Sequence, residues 1–243
     1  MEFHPDLIPA VLQRRYKRFL ADVTLNDGTT VTVHCPNTGA MMGCQEPGSR
    51  VWLSTSDNLK RKYRHTWELV EARPQVLVGI NTARTNALAF EALETDKISQ
   101  LAGFDSIRKE VHVGERSRID FLLEYPGGNQ CFLEVKNVTA AVEEGIAAFP
   151  DAVSQRATRH LNELMTLVQG GHRGALLFIV QREDVHQVRP ADEIDPQYGE
   201  TLRLAKQRGV EIYAYRASVS RDQVRVEEEV AVDLSKRTDL ENQ

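Results

Sequence analysis

The first eighty or so residues alternate hydrophobic and polar positions in short runs that turn residues separate. Two β-rich runs, residues 18–25 and 29–33, are joined by Asn26, Asp27 and Gly28, a sequence typical of a hairpin turn. Residues 51–55 and 65–70 predict further strands. Roughly five short strands in so short a segment indicate a small β-barrel, of which the OB-fold is one kind.

The pattern changes near residue 80, so we expect an OB-like domain over residues 1–81 and a second domain over residues 82–243. The Asp195–Pro196 pair is a good helix start. The remaining pattern predicts an α/β core with a mixed sheet, and hence an α+β protein. The predicted elements are a helix over 85–101, strands over 107–113, 117–125 and 130–138, a helix over 152–169, a buried strand over 175–180, a long polar loop, a helix over 196–208, a strand over 210–215 and an edge strand after 223.

The charge of the chain is unevenly spread over its 243 residues, which carry a net charge of −5. Residues 1–81 hold 10 basic and 8 acidic side chains, and the rest of the chain holds 20 and 27. This overall field repels phosphate, so nucleic-acid binding would require local basic patches and metal ions. There is no pattern of a secretory signal, no apolar run near the ~20 residues of a membrane helix, and only three cysteines. We expect a cytoplasmic protein without a membrane segment.

Two neighbouring predicted strands carry two acids and a lysine that can meet. In the later strand, Glu134 and Lys136 project from the face opposite to the apolar positions. In the earlier strand, Asp120 alternates with Ile119 and Phe121, which belong to the apolar set. The alternation therefore predicts that Asp120, Glu134 and Lys136 converge on one face of the sheet.

This trio suits metal-dependent phosphodiester hydrolysis. Asp120 and Glu134 can hold Mg²⁺ or Mn²⁺, with the Val135 carbonyl as a further candidate ligand, because hard cations prefer oxygen ligands. The ion polarises a bound water, and Lys136 can orient that water and stabilise the developing negative charge.

The hypothesis requires a particular loop length in the hairpin between the two strands. Asp120 stands opposite Glu134 or Lys136 only if the loop within 126–129 has an odd number of residues, as in a three-residue loop with a Gly-containing bulge. A two-residue Gly–Gly turn would place Asp120 opposite Val135. The alternative interpretation is an ordinary solvated strand, since Glu-x-Lys occurs roughly once by chance in a chain of this length.

Several segments together resemble the sugar fermentation stimulation protein A family over nearly the whole chain. The resemblance implies an N-terminal OB-like domain, a C-terminal domain related to the PD-(D/E)xK nuclease superfamily, non-specific DNA binding, and an association with the regulation of sugar (maltose) metabolism genes. Asp120, Glu134 and Lys136 match the superfamily triad, while Ile119 stands where the motif's name has proline. The segments that carry the resemblance are residues 34–39, 117–121, 134–139, 149–153 and 159–164.

Further site candidates come with competing interpretations. Glu91 and Glu110 could supply an additional acidic ligand, although surface acids are the alternative. On the helix after the triad, Arg156, Arg159, His160 and Glu163 share a face that could hold a phosphate beside the metal, and Gln155 could be a catalytic partner on that helix. An ordinary polar helix face explains these residues equally well. In the first domain, His34 with Cys35 and Cys44 invites a zinc interpretation, but no fourth ligand supports it, and we expect both cysteines in the core.

Two basic segments of the first domain mix cations with aromatic residues, as OB surfaces that hold single strands do. The predicted nucleic-acid-binding cations are Arg14, Arg15, Lys17, Arg18, Lys60, Arg61 and Lys62. Residues 36–39 form a turn whose amides could contact ligand, and solubilising charge is the alternative for both basic segments.

Two functions therefore remain open. The first is a DNA-binding protein with a Mg²⁺- or Mn²⁺-dependent nuclease domain, RNA not being excluded as a substrate. The second is a non-enzymatic, non-specific DNA-binding protein with a regulatory role in sugar metabolism. A sugar-metabolising enzyme has no supporting motif in the sequence.

Overall fold

A computed structural model describes residues 1–114 and 117–236 of the chain. The strands of the first domain are β1 (Ile8–Tyr16), β2 (Leu20–Leu25), β3 (Thr30–His34), β4 (Arg50–Thr55), β5 (His65–Arg73) and β6 (Val76–Gly79). The first five form a closed barrel with strand order β3-β2-β1-β4-β5, in which the pairing of His34 with Thr66 joins β3 to β5 and closes the sheet. The sixth strand, β6, pairs antiparallel with β5.

The predicted hairpin at residues 26–28 is confirmed. Gly28 has a φ of 86°, a left-handed conformation that glycine adopts without strain, and its amide donates to the Leu25 carbonyl at 2.9 Å. Cys35 and Cys44 are buried in the barrel core, as expected, and are not paired in a disulfide.

The elements of the second domain are α1 (Thr85–Glu94), β7 (Ser106–Val113), β8 (Ser117–Glu124), β9 (Gln130–Val138), β10 (Ala141–Glu143), β11 (Gly145–Phe149), α2 (Gln155–Gln169), β12 (Arg173–Val180), β13 (Val185–Pro190), α3 (Pro196–Gln207), β14 (Glu211–Val219), β15 (Val224–Glu229) and β16 (Ala231–Val232). The main sheet is six-stranded and mixed, with strand order β15-β14-β12-β9-β8-β7. Helix α1 packs on one face of this sheet, and α2 and α3 pack on the other, so the predicted α+β fold is confirmed. None of the helices in the described part of the chain is long and apolar enough to cross a bilayer.

Two predictions about local structure were wrong. The expected polar loop after β12 contains β13, which pairs in parallel with β11 in a second sheet of order β10-β11-β13-β16. Its alternation is short, and only Val185 and Val188 with Pro190 face inward, so the periodic signal is weak. The helix expected over 85–101 ends at Glu94, because the chain turns at Asp96 with a φ of 52° before a single 3₁₀ turn at 99–101.

Buried polar contacts join the barrel to the second domain. The Glu68 carboxylate on β5 accepts two hydrogen bonds from Arg84, which directly precedes α1. The Gln181 carbonyl, just after β12, accepts from the Gly79 amide at 2.9 Å. The Asp151 carboxylate accepts from the Met41 amide at 3.0 Å. These contacts hold one end of the barrel over the carboxyl ends of β9 and β12.

Candidate active site

Asp120 lies at the point where β8 separates from β9. The last paired residues before it are Phe121 and Leu133, and beyond them the Asp120 Oδ2 atom accepts the Val135 amide proton at 2.8 Å in place of a backbone carbonyl. The Asp120 Oδ1 atom accepts from Asn86 Nδ2 on α1 at 2.8 Å. The carboxylate is therefore held from two sides in the opening between the strands.

The hairpin loop has the odd number of residues that the hypothesis requires. Residues 126–128 form a three-residue loop between Tyr125 and Asn129, whose backbones are joined by a 2.8 Å hydrogen bond. The paired register ends with Phe121 opposite Leu133, and its extension by one residue would set Asp120 opposite Glu134.

The expected apolar alternation on β8 is only partly correct. Phe121 packs in the core beneath α1, whereas Ile119 packs in the core beneath α2 together with Leu122. The alternation breaks at Asp120 because the strand leaves its neighbour there. Asp120 thus lies in the gap between the strands, where it senses the charge of Glu134, and it does not stand beside Glu134 on one flat sheet face as predicted.

Glu134 is buried on the α2 side of the sheet, with 2% of its surface exposed. Its Oε1 atom contacts both Lys136 Nζ and His160 Nδ1. Its Oε2 atom is buried and has no hydrogen-bond partner within the described chain. A buried carboxylate oxygen without a donor is costly, so this atom is suited to receive a cation.

The charge of Glu134 affects the ionisation of Asp120. Burial, and next to it the negative charge of Glu134, raises the pKa of Asp120 above its ordinary value. Burial alone would raise the pKa of Glu134 too, but the hydrogen bond from His160 and the charge of Lys136 bring it below its ordinary value. Glu134 is thus the stably ionised partner, and a cation placed between the two would favour ionised Asp120.

His160 belongs to this buried cluster and not to an exposed phosphate-binding face, which corrects the prediction. It is 3% exposed, and its Nε2 atom accepts from Arg156 Nε at 3.4 Å. Nδ1 then carries the proton that is donated to Glu134. Arg156 and Arg159 are exposed on the same helix, and Arg159 lies 3.9 Å from the carboxylate of Glu163.

Glu91 and Glu110 are not brought to the carboxylate pair. Glu91 binds the amino-terminal ammonium group at 2.8 Å, and Glu110 is exposed with its carboxylate 3.4 Å from Arg118. In the described chain no group of three or more His, Cys, Asp or Glu side chains is arranged to hold a metal. Any metal here would therefore rest on two carboxylates.

Beside this cluster, a cleft of about 380 Å³ opens between the barrel and the second domain. The barrel contributes Arg18 and residues 37–39, and the second domain contributes Thr82 and residues 136–140, 148–154 and 156–157. Lys136 thus connects the buried carboxylates with the cleft, which three cations border: Arg18, Lys136 and Arg156.

The basic segments of the barrel differ in how far their cations are engaged within the chain. Arg15 donates to the carbonyls of Arg18, Asn37 and Gly39 at 2.8 to 2.9 Å, so its guanidinium holds the loop rather than facing solvent. Arg14 pairs with Asp22 at 2.9 Å. Arg18 donates to the Thr38 carbonyl at 3.0 Å and Arg61 to the Thr66 hydroxyl at 3.2 Å. The predicted cations that are exposed besides Arg14 are Lys17, Arg18, Lys60, Arg61 and Lys62.

Asn86 is a site residue that the sequence analysis missed. It precedes Asp120 by 34 positions and sits in a helix whose apolar pattern gives no hint of its contact. His160 carried a usable signal, because Ala157, Leu161 and Leu164 around it form the buried stripe of α2.

Comparison with known proteins agrees with this architecture. The model of the "SfsA N-terminal OB domain" matches residues 14–80, and that of the "Sugar fermentation stimulation protein RE domain" matches residues 83–223. A sugar fermentation stimulation protein homolog from Thioalkalivibrio sulfidiphilus is 59% identical over 97% of this chain and 99% of its own length. A homolog from Pelobacter propionicus is 56% identical over 95% of this chain and 99% of its own.

A solved structure also aligns over most of the chain. The structure of Pyrococcus furiosus SfsA in complex with Ca²⁺ superposes with a TM-score of 0.85 at 30% identity, covering 96% of this chain and 98% of that one. Taken with the two family models and the relatives, this alignment shows that the chain belongs to the sugar fermentation stimulation protein (SfsA) family.

Proposed function

We propose that this protein binds DNA and hydrolyses phosphodiester bonds with a divalent cation, Mg²⁺ or Mn²⁺, held by Asp120 and Glu134. The observation that carries the proposal is the buried Glu134 Oε2 atom, which lacks a donor beside a second carboxylate. Mg²⁺ commonly uses one or two protein carboxylates and completes its shell with water and phosphate oxygens, so the donor set fits. The P. furiosus relative was solved with Ca²⁺, another cation that prefers oxygen ligands.

Each neighbouring side chain has a definable task. The cation, when bound, would neutralise phosphate charge and make a bound water more acidic. Asn86 fixes Asp120 through Oδ1, and His160 fixes Glu134 through Oε1, so that each carboxylate keeps one geometry. Lys136 reaches from Glu134 into the cleft and places a positive charge where the attacked phosphate would lie.

The test measures cleavage and cation binding separately. Labelled single- and double-stranded DNA and RNA are incubated with Mg²⁺, with Mn²⁺ or with chelator. Wild-type protein is compared with Lys136→Ala and with Lys97→Ala, whose lysine is 42% exposed and pairs with Glu227 instead. We expect metal-dependent cleavage that Lys136→Ala abolishes and Lys97→Ala leaves unchanged.

Cation binding is read from the melting temperature without substrate. Because a ligand stabilises the state that binds it, Mn²⁺ should raise the Tm of wild-type and Lys136→Ala protein but not that of Asp120→Ala. Binding of DNA without cleavage of any substrate would favour the alternative of a non-enzymatic regulatory protein, which the exposed cations of the barrel also support.

A further inference from the structure

The cleft beside Lys136 has the surface chemistry of a nucleotide site. One part of its lining is apolar and includes Phe149, Pro150 and Val153. The Phe149 ring is held by two aromatic neighbours, with ring centroids 5.5 Å from Phe178 and 5.3 Å from Tyr198. A rigid apolar surface next to cations suits a base beside its phosphate.

Polar groups in the same cleft can recognise the edge of a base. The Asn137 Oδ1 atom accepts from Gln181 Nε2 at 2.5 Å, which fixes the amide and leaves its NH₂ group available. Thr38 and Thr139 also line the cleft. The lining thus combines apolar side chains, hydrogen-bonding groups and flanking cations.

The size and position of the cleft limit what can enter. Its volume of about 380 Å³ is near the lower end of the roughly 300–1,000 Å³ typical of small-ligand pockets. A base in continuous duplex is stacked on both sides, and removing it from the stack costs a few kcal/mol, least when the base is already unpaired. An unpaired nucleotide can therefore occupy the cleft at lower cost than a paired one.

Val153 is an exposed apolar side chain in a cleft that cations flank. This side chain is 71% exposed, on the segment that leads into α2. Contact with a base would bury the apolar surface of this valine, and burial of apolar surface contributes favourably to the free energy of binding.

We infer that this cleft holds an unpaired nucleotide, with its base against Phe149 and Val153 and its phosphate beside Lys136 and Arg156. The inference rests on the proposed function and specifies its substrate class: single-stranded DNA, or DNA with a single-stranded end, rather than continuous duplex. Single-stranded RNA shares this chemistry and is one arm of the test.

The experiment uses a fluorescent reporter at the cleft. Trp52 and Trp67 are 3% and 0% exposed, so Val153→Trp adds the exposed indole that a base can stack on. The variant is titrated in chelator, which prevents cleavage, with four ligands of equal length: oligo(dT), oligo(rU), an abasic single strand and a blunt duplex. The matched control is Leu204→Trp, at a 39% exposed leucine on α3.

Quenching at position 153 by oligo(dT), at concentrations where the abasic strand and the duplex have no effect, would support the inference. Position 204 should respond to none of them. A second variant, Val153→Glu, should weaken oligo(dT) binding by roughly tenfold while duplex affinity changes less than twofold, in line with the loss of one base contact.

Equal quenching by duplex and oligo(dT), or quenching by the abasic strand, would overturn the inference. Unchanged oligo(dT) affinity in Val153→Glu would overturn it as well. These measurements are made without metal, so their outcome does not depend on the proposed hydrolysis. Selective quenching together with no cleavage in the metal assay would refute the hydrolase but not the nucleotide site. Cleavage without selective quenching would refute the nucleotide site but not the hydrolase.

Discussion

Replacement of Glu68 by alanine tests how strongly the barrel is held to the second domain. The Glu68 carboxylate is 2% exposed and accepts four hydrogen bonds. These come from Ser54 Oγ at 2.6 Å, Asn81 Nδ2 at 2.8 Å, and Arg84 Nε and Nη2 at 2.6 and 2.9 Å. Removal of the carboxylate leaves the Asn81 amide and the Arg84 guanidinium without their acceptor.

The size of the effect follows from the burial of the two partners. Removing one member of a buried ion pair costs about 3–5 kcal/mol, because the other charge stays desolvated. The Arg84 side chain is 29% exposed, so water recovers part of its solvation and we expect a cost near the lower end, about 3 kcal/mol. In a protein of this size, about 1 kcal/mol corresponds to roughly 2–4 °C in Tm, so the Tm of Glu68→Ala should fall by about 6–12 °C.

Calorimetry of Glu68→Ala, Arg84→Ala and the double variant measures the coupling. The double variant should lose less than the sum of the single ones, since neither charge is then left alone. Glu200→Ala is the control, because Glu200 is 70% exposed and lies 3.8 Å from Lys236, a pair worth about 0–1 kcal/mol. If Glu68→Ala lowers the Tm no more than Glu200→Ala, the reasoning from burial fails.

Three further predictions concern the barrel loop, an acidic residue and the thiols. A Cβ on Gly39 would lie 2.7 Å from the Cγ atom of Asp151, so Gly39→Ala should cost about 1–3 kcal/mol, and adding Asp151→Ala should restore part of the Tm. Burial raises the pKa of half-buried Asp184, but its hydrogen bonds with Arg182 outweigh this effect and keep the pKa below its ordinary 3.8; the pair therefore stabilises the fold above that pH, and the Tm deficit of Asp184→Asn should be constant near neutrality, shrink once the pH falls below about 4 and vanish as the pH passes the lower folded-state pKa. Burial raises the pKa of Cys44 to about 11, so Ellman's reagent should react with the three buried cysteines only after unfolding.

The sequence was informative where a local rule determines the structure. The three-residue loop at 126–128 follows from the glycines there, and it sets the register in which Phe121 pairs with Leu133. The helix start at Asp195 follows from its side chain, which accepts from the Tyr198 amide at 3.0 Å. Each of these features depends on neighbours within a few residues.

The remaining features depend on contacts between distant segments. Strand β8 leaves β9 at Asp120 because the Asp120 carboxylate replaces a backbone partner of Val135 and because α1 supplies Asn86. Helical spacing groups His160 with Arg156 on one face, but it does not say which part of that face meets the sheet. For the same reason, Arg15 in a cationic run turned out to bind loop carbonyls.

The acidic character of the chain does not argue against a polyanionic substrate once the positions of the charges are known. Interactions between exposed charges are largely screened beyond about 8 Å at physiological ionic strength, so a phosphate in the cleft senses mainly the groups that border it. Three of these are cations, Arg18, Lys136 and Arg156, and the carboxylate of Asp151 already accepts from a backbone amide. The net charge of −5 therefore does not describe the field within the cleft, where the second domain supplies Lys136 and Arg156 and the barrel adds Arg18.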